Sequence, residues 1–249
     1  MELRSLIKRI IYGYRYNSDT YISHLRKKGV KIGKNVYFYS PIKTIIDEQY
    51  PWMISIGNDV RITSGVTILT HDYSWCVLKK SPNPMINGAV IGASGKVTIG
   101  DNVFIGMNAT ILRNVTIGNN VIIGCSSVVV DDCEENFVYA GNPARKICLI
   151  DDFYNKRKDN MLHEAKTLAI EYKKSFGKLP PKDVLREYFM LFENGSTVKQ
   201  NSEFLNVLSL MGNYEDSLNY ITNNTPQFNG YDEFLNYCFS REEIYENKN

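Results

Sequence analysis

The stretch Val97–Val129, "VTIGDNVFIGMNATILRNVTIGNNVIIGCSSVV", repeats itself every six residues. Isoleucine stands at 99, 105, 111, 117 and 123, and four positions after each comes a small or β-branched residue: Val103, Ala109, Val115, Val121 and Ser127. Glycine follows the isoleucine at 100, 106, 118 and 124, and pairs such as Asp101-Asn102, Arg113-Asn114 and Asn119-Asn120 form polar corners. A period of six cannot be an α-helix, whose apolar face recurs every 3.6 residues. It fits a strand, a corner and a strand again, with the isoleucines and valines pointing inward.

The same series runs upstream through Ile32, Ile56, Ile62 and Ile68, with Val36, Val60 and Val66 four residues after the first three members. Repeats of this kind mark a parallel β-helix, in which three hexads make one triangular coil and coils stack about 4.8 Å apart. The two series are out of register. From Ile68 to Ile99 is 31 residues, one more than five hexads. A segment of about 72–90 therefore leaves the coil and returns near Ile91, and loops of this length inside a compact domain usually carry function. A second irregular stretch is expected from Lys43 to Met53.

Two helical segments flank this domain of residues 30–149. In residues 1–29, Leu3, Leu6, Ile7, Ile10, Ile11 and Tyr14 share one helical face, with Arg4, Lys8 and Arg9 elsewhere on the wheel. The expectation is that this stripe packs on the next domain; a basic amphipathic helix also suits a membrane surface. Asp19 is the expected cap of a second short helix stopping near Gly29. Residues 150–249 lose the hexads and read as a helical domain: Met161 to Phe176, a helix opened by Pro180-Pro181 through Phe192, and runs over 202–211, 214–222 and 231–245.

Composition narrows the function. A formal charge of +2 over 249 residues gives no support to nucleic-acid binding. No apolar run approaches a membrane span, and charges interrupt the N-terminal apolar residues, so no secretory signal is expected. Five scattered cysteines without a CxxC pair suit reduced thiols, a cytoplasmic setting and no structural zinc. His24 lies in a basic helical run and His163 in the helical domain; both read as structural. His71 differs, because "VTILTHDYSW" loses the hexad step at His71-Asp72.

The run from Val97 to Ile147, ending in "AGNPAR", resembles hexapeptide-repeat acyltransferases of the left-handed parallel β-helix type. "IIDEQYPWMISIGNDV" and "THDYSW" resemble most closely the bacterial O-acetyltransferases associated with surface polysaccharides, and more distantly the maltose and galactoside acetyltransferases. The resemblance covers about residues 25–149. It implies a homotrimer with active sites between subunits, and acetyl transfer from acetyl-CoA to a sugar hydroxyl with no metal. It makes His71 the general base, since a hydroxyl attacks poorly until relieved of its proton and histidine serves near neutral pH. Asp72 or a backbone carbonyl would orient the ring. For the cofactor it implies Phe104, Gly106, Met107, Cys125, Ser126, Val130, Asp131, Arg145 and Lys146. The Met107 amide would donate to the thioester oxyanion. Val130-Asp131 replaces the family's Thr-Lys pair near the phosphates, leaving Arg145 and Lys146 as cations. For the acceptor it implies Ser40, Asp47, Glu48 and Asp72, with Tyr73 and Trp75 as a platform for a sugar ring. Other readings on this scaffold are an N-acyltransferase on an amino or nucleotide-linked sugar, a zinc-dependent carbonic anhydrase, and a non-catalytic scaffold. A site at the inner membrane surface follows only if the N-terminal helix binds lipid.

Overall fold

A side chain that points inward every sixth residue needs a backbone turning through one face of a triangle every six residues. The computed structural model, which describes residues 3–239, has this arrangement. The first coil is β1 (Lys31–Ile32), β2 (Tyr37–Phe38) and β3 (Ile45–Ile46). The second is β4 (Ile54–Ile56), β5 (Arg61–Ile62) and β6 (Thr67–Ile68), and the third β7 (Val97–Ile99), β8 (Val103–Ile105) and β9 (Thr110–Ile111). The fourth is β10 (Val115–Ile117), β11 (Val121–Ile123) and β12 (Val128–Val129), after which β13 (Phe137–Gly141) and β14 (Ala144–Leu149) close the domain. Each coil gives one strand to each of three sheets, ordered β1-β4-β7-β10, β14-β13-β11-β8-β5-β2 and β12-β9-β6-β3. The pairing is parallel throughout, except that β14 folds back antiparallel on β13. The fold is a parallel β-helix.

Register explains the periodicity. Ile56 pairs with Ile99 and Ile99 with Ile117; Ile62 pairs with Ile105 and Ile105 with Ile123; Ile46 pairs with Ile68 and Ile68 with Ile111. These columns and the valines at Val60, Val66, Val103, Val115 and Val121 are all buried in one core. The corners must turn sharply, and Asn35, Asp59, Asn102, Asn108, Asn114, Asn120, Ser126 and Asn136 do so with φ between 52° and 65°. Asn and Asp tolerate this left-handed region better than other side chains, which is why the corners are Asn-rich. Asn102, Asn120 and Asn136 also hydrogen-bond in a column from coil to coil.

Before the coils, α1 spans Leu3–Tyr12 and α2 spans Ser18–Lys28. Tyr21, Ile22 and Leu25 of α2 are buried in the same core as Val30, Val36 and Phe38, so α2 covers the first coil. Asn17, not Asp19, caps α2, its Oδ1 accepting from the Thr20 amide at 2.9 Å. Asp19 lies inside the first turn, and Gly29 ends the helix at φ 107°, as expected for a left-handed C-cap. The expectation for α1 fails. Ile7, Ile10 and Ile11 are exposed rather than packed on the coils. The side chains of Leu3 and Leu6 lie outside the described residues.

Two further expectations are corrected. The stretch Lys43–Met53 is not wholly irregular, because Ile45-Ile46 pairs in register with β6. The long excursion returns at Gly95, whose amide donates to the Thr70 carbonyl at 2.8 Å, and not at Ile91, which is exposed.

The chain divides after Phe153, within α3 (Ile150–Phe176). In the second unit α3 is followed by α4 (Ser202–Met211), α5 (Tyr214–Asn223) and α6 (Tyr231–Cys238) around a core rich in phenylalanine. No continuous helix follows Pro180-Pro181. The segment forms short 3-10 turns at Lys182–Leu185 and Phe189–Leu191, closed by i to i+3 bonds, which bury Leu185, Phe189, Leu191 and Phe192 together. Of the run expected over 231–245, residues 240–245 lie outside the described residues.

Removing a buried rung should therefore cost far more than removing an outward one. Ile105→Ala is expected to lose about 2–5 kcal/mol, and the exposed Ile45→Ala well under half of that, by urea denaturation of the two variants. Equal losses would contradict the inward ladder.

Candidate active site

The third sheet ends at one corner of the prism, and both excursions leave from there. The chain departs after β3 at Asp47 and, one coil on, after β6 at His71. The Asp47 amide donates to the Ile68 carbonyl at 3.0 Å, so the two departure points are locked side by side. His71 Nδ1–H donates to Asp47 Oδ2 at 2.6 Å. The same carboxylate accepts from the Thr70 amide at 2.9 Å, the Thr70 hydroxyl at 2.5 Å and the Gln49 amide at 2.8 Å. The Asp47 side chain is 4% exposed and that of His71 31% exposed. Burial alone would raise the Asp47 carboxyl, but the hydrogen bonds from Thr70, Gln49 and His71 outweigh it and hold the group below its ordinary value.

The consequence for His71 is a fixed tautomer. An ionised carboxylate only accepts, so Nδ1 keeps its proton and Nε2 carries the lone pair. The ring is steadied further by the neck of the excursion: His71 bridges Ser94, and the Asp72 amide donates to the Ala93 carbonyl at 2.9 Å. His71, Asp72, Leu69, Leu112, Arg113 and Val130 line a cleft of about 370 Å³. Leu69, Leu112 and Val130 each follow the third-sheet strand of successive coils, forming an apolar wall.

The remaining expected residues sort into three places. The Tyr50 ring lies 6.0 Å from the imidazole; on the excursion that follows His71, Tyr73 stands 4.9 Å from Trp75 in an edge arrangement. Asp72 does not orient the imidazole. Its carboxylate accepts from the Ser74 amide at 2.7 Å and hydroxyl at 3.0 Å, and those bonds, with Arg113 nearby, hold it below the ordinary carboxylate range. Glu48 turns away toward α2 and pairs with Arg15 (3.6 Å), His24 (3.3 Å) and Lys28 (3.9 Å). Asp47 and Glu48 are thus not an acceptor-facing pair in this chain. Thr70, Arg113 and Tyr50 belong to the site and were not expected from the sequence.

At the other edge of the third sheet stand Ser40, Met107 and Cys125. Met107 and Cys125 are exposed and stack coil on coil, the Ser126 amide donating to the Met107 carbonyl at 2.7 Å. A side chain at Gly106 would meet the Cys125 amide at 2.6 Å, so glycine is required for this close approach. Gly106, Asn108 and Ala109 donate within the fold; among the described residues the Met107 amide has no such backbone partner. Ser40 accepts through its carbonyl from Lys43 and Thr44. Within one chain, His71 and Met107 therefore flank the third sheet from opposite corners and are not brought together.

The third place is outside the second sheet and on β14. Phe104 is exposed between Arg61 and Ile122. Arg145 pairs with Asp131 at 3.4 Å, and Lys146 pairs with Glu134 at 2.9 Å while lying 4.0 Å from the Phe137 ring centre. Exposed pairs of this kind are weak and yield readily to a stronger anion. Val130, expected beside them, instead lines the His71 cleft.

Comparison with known proteins accords with this architecture. Residues 96–131 match the bacterial transferase hexapeptide family, as six repeats. Over 137 residues the chain is 42% identical to Protein CapG of Staphylococcus aureus, which covers 55% of this chain and 75% of CapG. It is 32% identical over 118 residues to YvoF of Bacillus subtilis, a protein named as an acetyltransferase, covering 47% of this chain and 59% of YvoF. A solved hexapeptide-repeat-containing acetyltransferase from Vibrio cholerae matches at 24% identity with a TM-score of 0.41, over 49% of this chain and 63% of its own. The chain belongs to the bacterial hexapeptide-repeat transferases.

The carboxylate of Asp47 gives a pH prediction. Its folded pKa is below its unfolded one, so its contribution to stability is complete above about pH 3.9 and is lost as pH falls through the lower folded value. Asp47→Asn should lower the melting temperature at pH 7 and make the acid limb of a melting-temperature profile shallower. Parallel profiles for wild type and variant would contradict the hydrogen-bonded carboxylate.

Proposed function

We propose that this protein transfers an acetyl group from acetyl-CoA to a sugar hydroxyl of a surface polysaccharide or its precursor, as a homotrimer of left-handed coils. The observation that carries the reading is the hydrogen bond of 2.6 Å between buried Asp47 and His71, with Nε2 as the ring's remaining nitrogen on a cleft. Nε2 takes the proton of the acceptor hydroxyl as its oxygen attacks the thioester carbonyl carbon. Negative charge gathers on the carbonyl oxygen, for which the Met107 amide is the donor. The tetrahedral intermediate collapses with loss of the thiolate, which takes the proton back from the imidazolium. Atoms balance as ester plus free thiol.

The split between the two corners supports assembly. His71 and Met107 flank the same sheet from opposite edges, so packing of a second subunit's edge against the first completes the constellation from two chains. The exposed column of Met107 and Cys125 offers backbone groups to an extended pantetheine arm, and Arg145 and Lys146 are the cations for its phosphates. Tyr73 and Trp75 on the excursion, with Tyr50 next to the imidazole, give apolar surface to a sugar ring. The name of YvoF supports acetyl as the transferred group.

Acetyl-CoA should raise the melting temperature of the wild-type protein, since a ligand bound only by the native state stabilises it. His71→Ala should keep that shift and lose about 10²–10⁴-fold in acceptor-dependent thiol release. The absence of a shift, or full activity in the variant, would overturn the reading.

A further inference from the structure

The apolar stripe of α1 calls for a partner of its own. Ile7, Ile10 and Ile11 are 47%, 76% and 65% exposed and share one face at i, i+3 and i+4. Tyr14, one turn on, is 41% exposed. A helix of ten residues is marginal alone in water, so the surface that covers its apolar face is part of what holds it. The root of the helix is fixed. Arg15 Nη1 donates to the carbonyls of Pro41 and Thr44 at 3.0 and 2.8 Å, and the Tyr14 ring stacks on His24 with centroids 3.6 Å apart.

Charge identifies the partner. Within α1 the sequence has three cations, Arg4, Lys8 and Arg9, and no carboxylate, with Tyr12 at its end and Tyr14 and Tyr16 just beyond. Self-association through this face would set like charges together. An anionic lipid surface supplies the countercharge, admits the isoleucines below its headgroups and suits tyrosines at its interface. We propose that α1 lies in the headgroup layer of an anionic bilayer and tethers the β-helix there by the fixed turn Gly13–Arg15. This tether is independent of the catalytic reading, and it would hold the site beside any acceptor carried on lipid.

The test is flotation of the full chain with vesicles of phosphatidylglycerol and phosphatidylcholine, against vesicles of phosphatidylcholine alone. Wild type should float with the anionic vesicles and be released by salt. The paired substitutions Ile10→Asp with Ile11→Asp, and Lys8→Gln with Arg9→Gln, should each weaken binding roughly tenfold or more. Both pairs should leave the melting temperature in solution unchanged, because the altered side chains are exposed. Wild type failing to float, or both variants floating as well as wild type, would overturn the proposal. So would a change of native mass in the Ile10→Asp, Ile11→Asp variant without wild-type flotation, which would assign the stripe to a subunit contact.

Discussion

The structure rests on a geometrical constraint: a chain that turns a corner every six residues must fill the inside of each corner with one branched side chain. Isoleucine and valine meet this demand because their β-branching fits the extended backbone and their volume fills the space between successive coils. Stacking then pairs every strand with its counterpart one coil away, so each isoleucine rests on another, as Ile62, Ile105 and Ile123 do. The column is apolar and continuous. Changing one rung disturbs the two beside it, which makes the prism stiff.

Stiffness is what allows loops to carry chemistry. Excursions of different length leave from one corner in adjacent coils, and the strands before them, β3 and β6, are held in register by hydrogen bonds. Asp47 and His71 are thereby fixed relative to each other although each opens an irregular segment. A carboxylate with four hydrogen-bond donors around it has little freedom to move, and it transmits that rigidity to the imidazole. The apolar column of Leu69, Leu112 and Val130 continues the same register outside the core and walls the cleft.

Much of this was legible from residue spacing. The hexads predicted the coils and their Asn-rich corners, because a period repeats its own geometry. The break at His71 marked the departure point for the same reason. Legibility stopped where contacts cross between irregular segments. The return of the excursion was misplaced at Ile91, since an apolar residue in a loop imitates the start of a strand. Asp72 was a natural candidate to orient His71 by adjacency, but its carboxylate is satisfied by the turn to Ser74. In the second unit, Pro180 to Phe192 carries helical spacing and yet forms 3-10 turns that bury its aromatic residues.

By itself, then, the sequence determined the β-helix, the position of its interruption and the histidine at its edge, because each follows from a local repeat and its failure. Only the tertiary structure decided that Asp47 faces His71, that Glu48 turns to α2, and that the apolar face of α1 stays open. Those outcomes depend on which two loops share a corner and on which surfaces are already covered, and no spacing along one segment records them. A hydrogen bond between residues 24 positions apart, each at the root of an insertion, exists only once the coils beneath have set both ends in place.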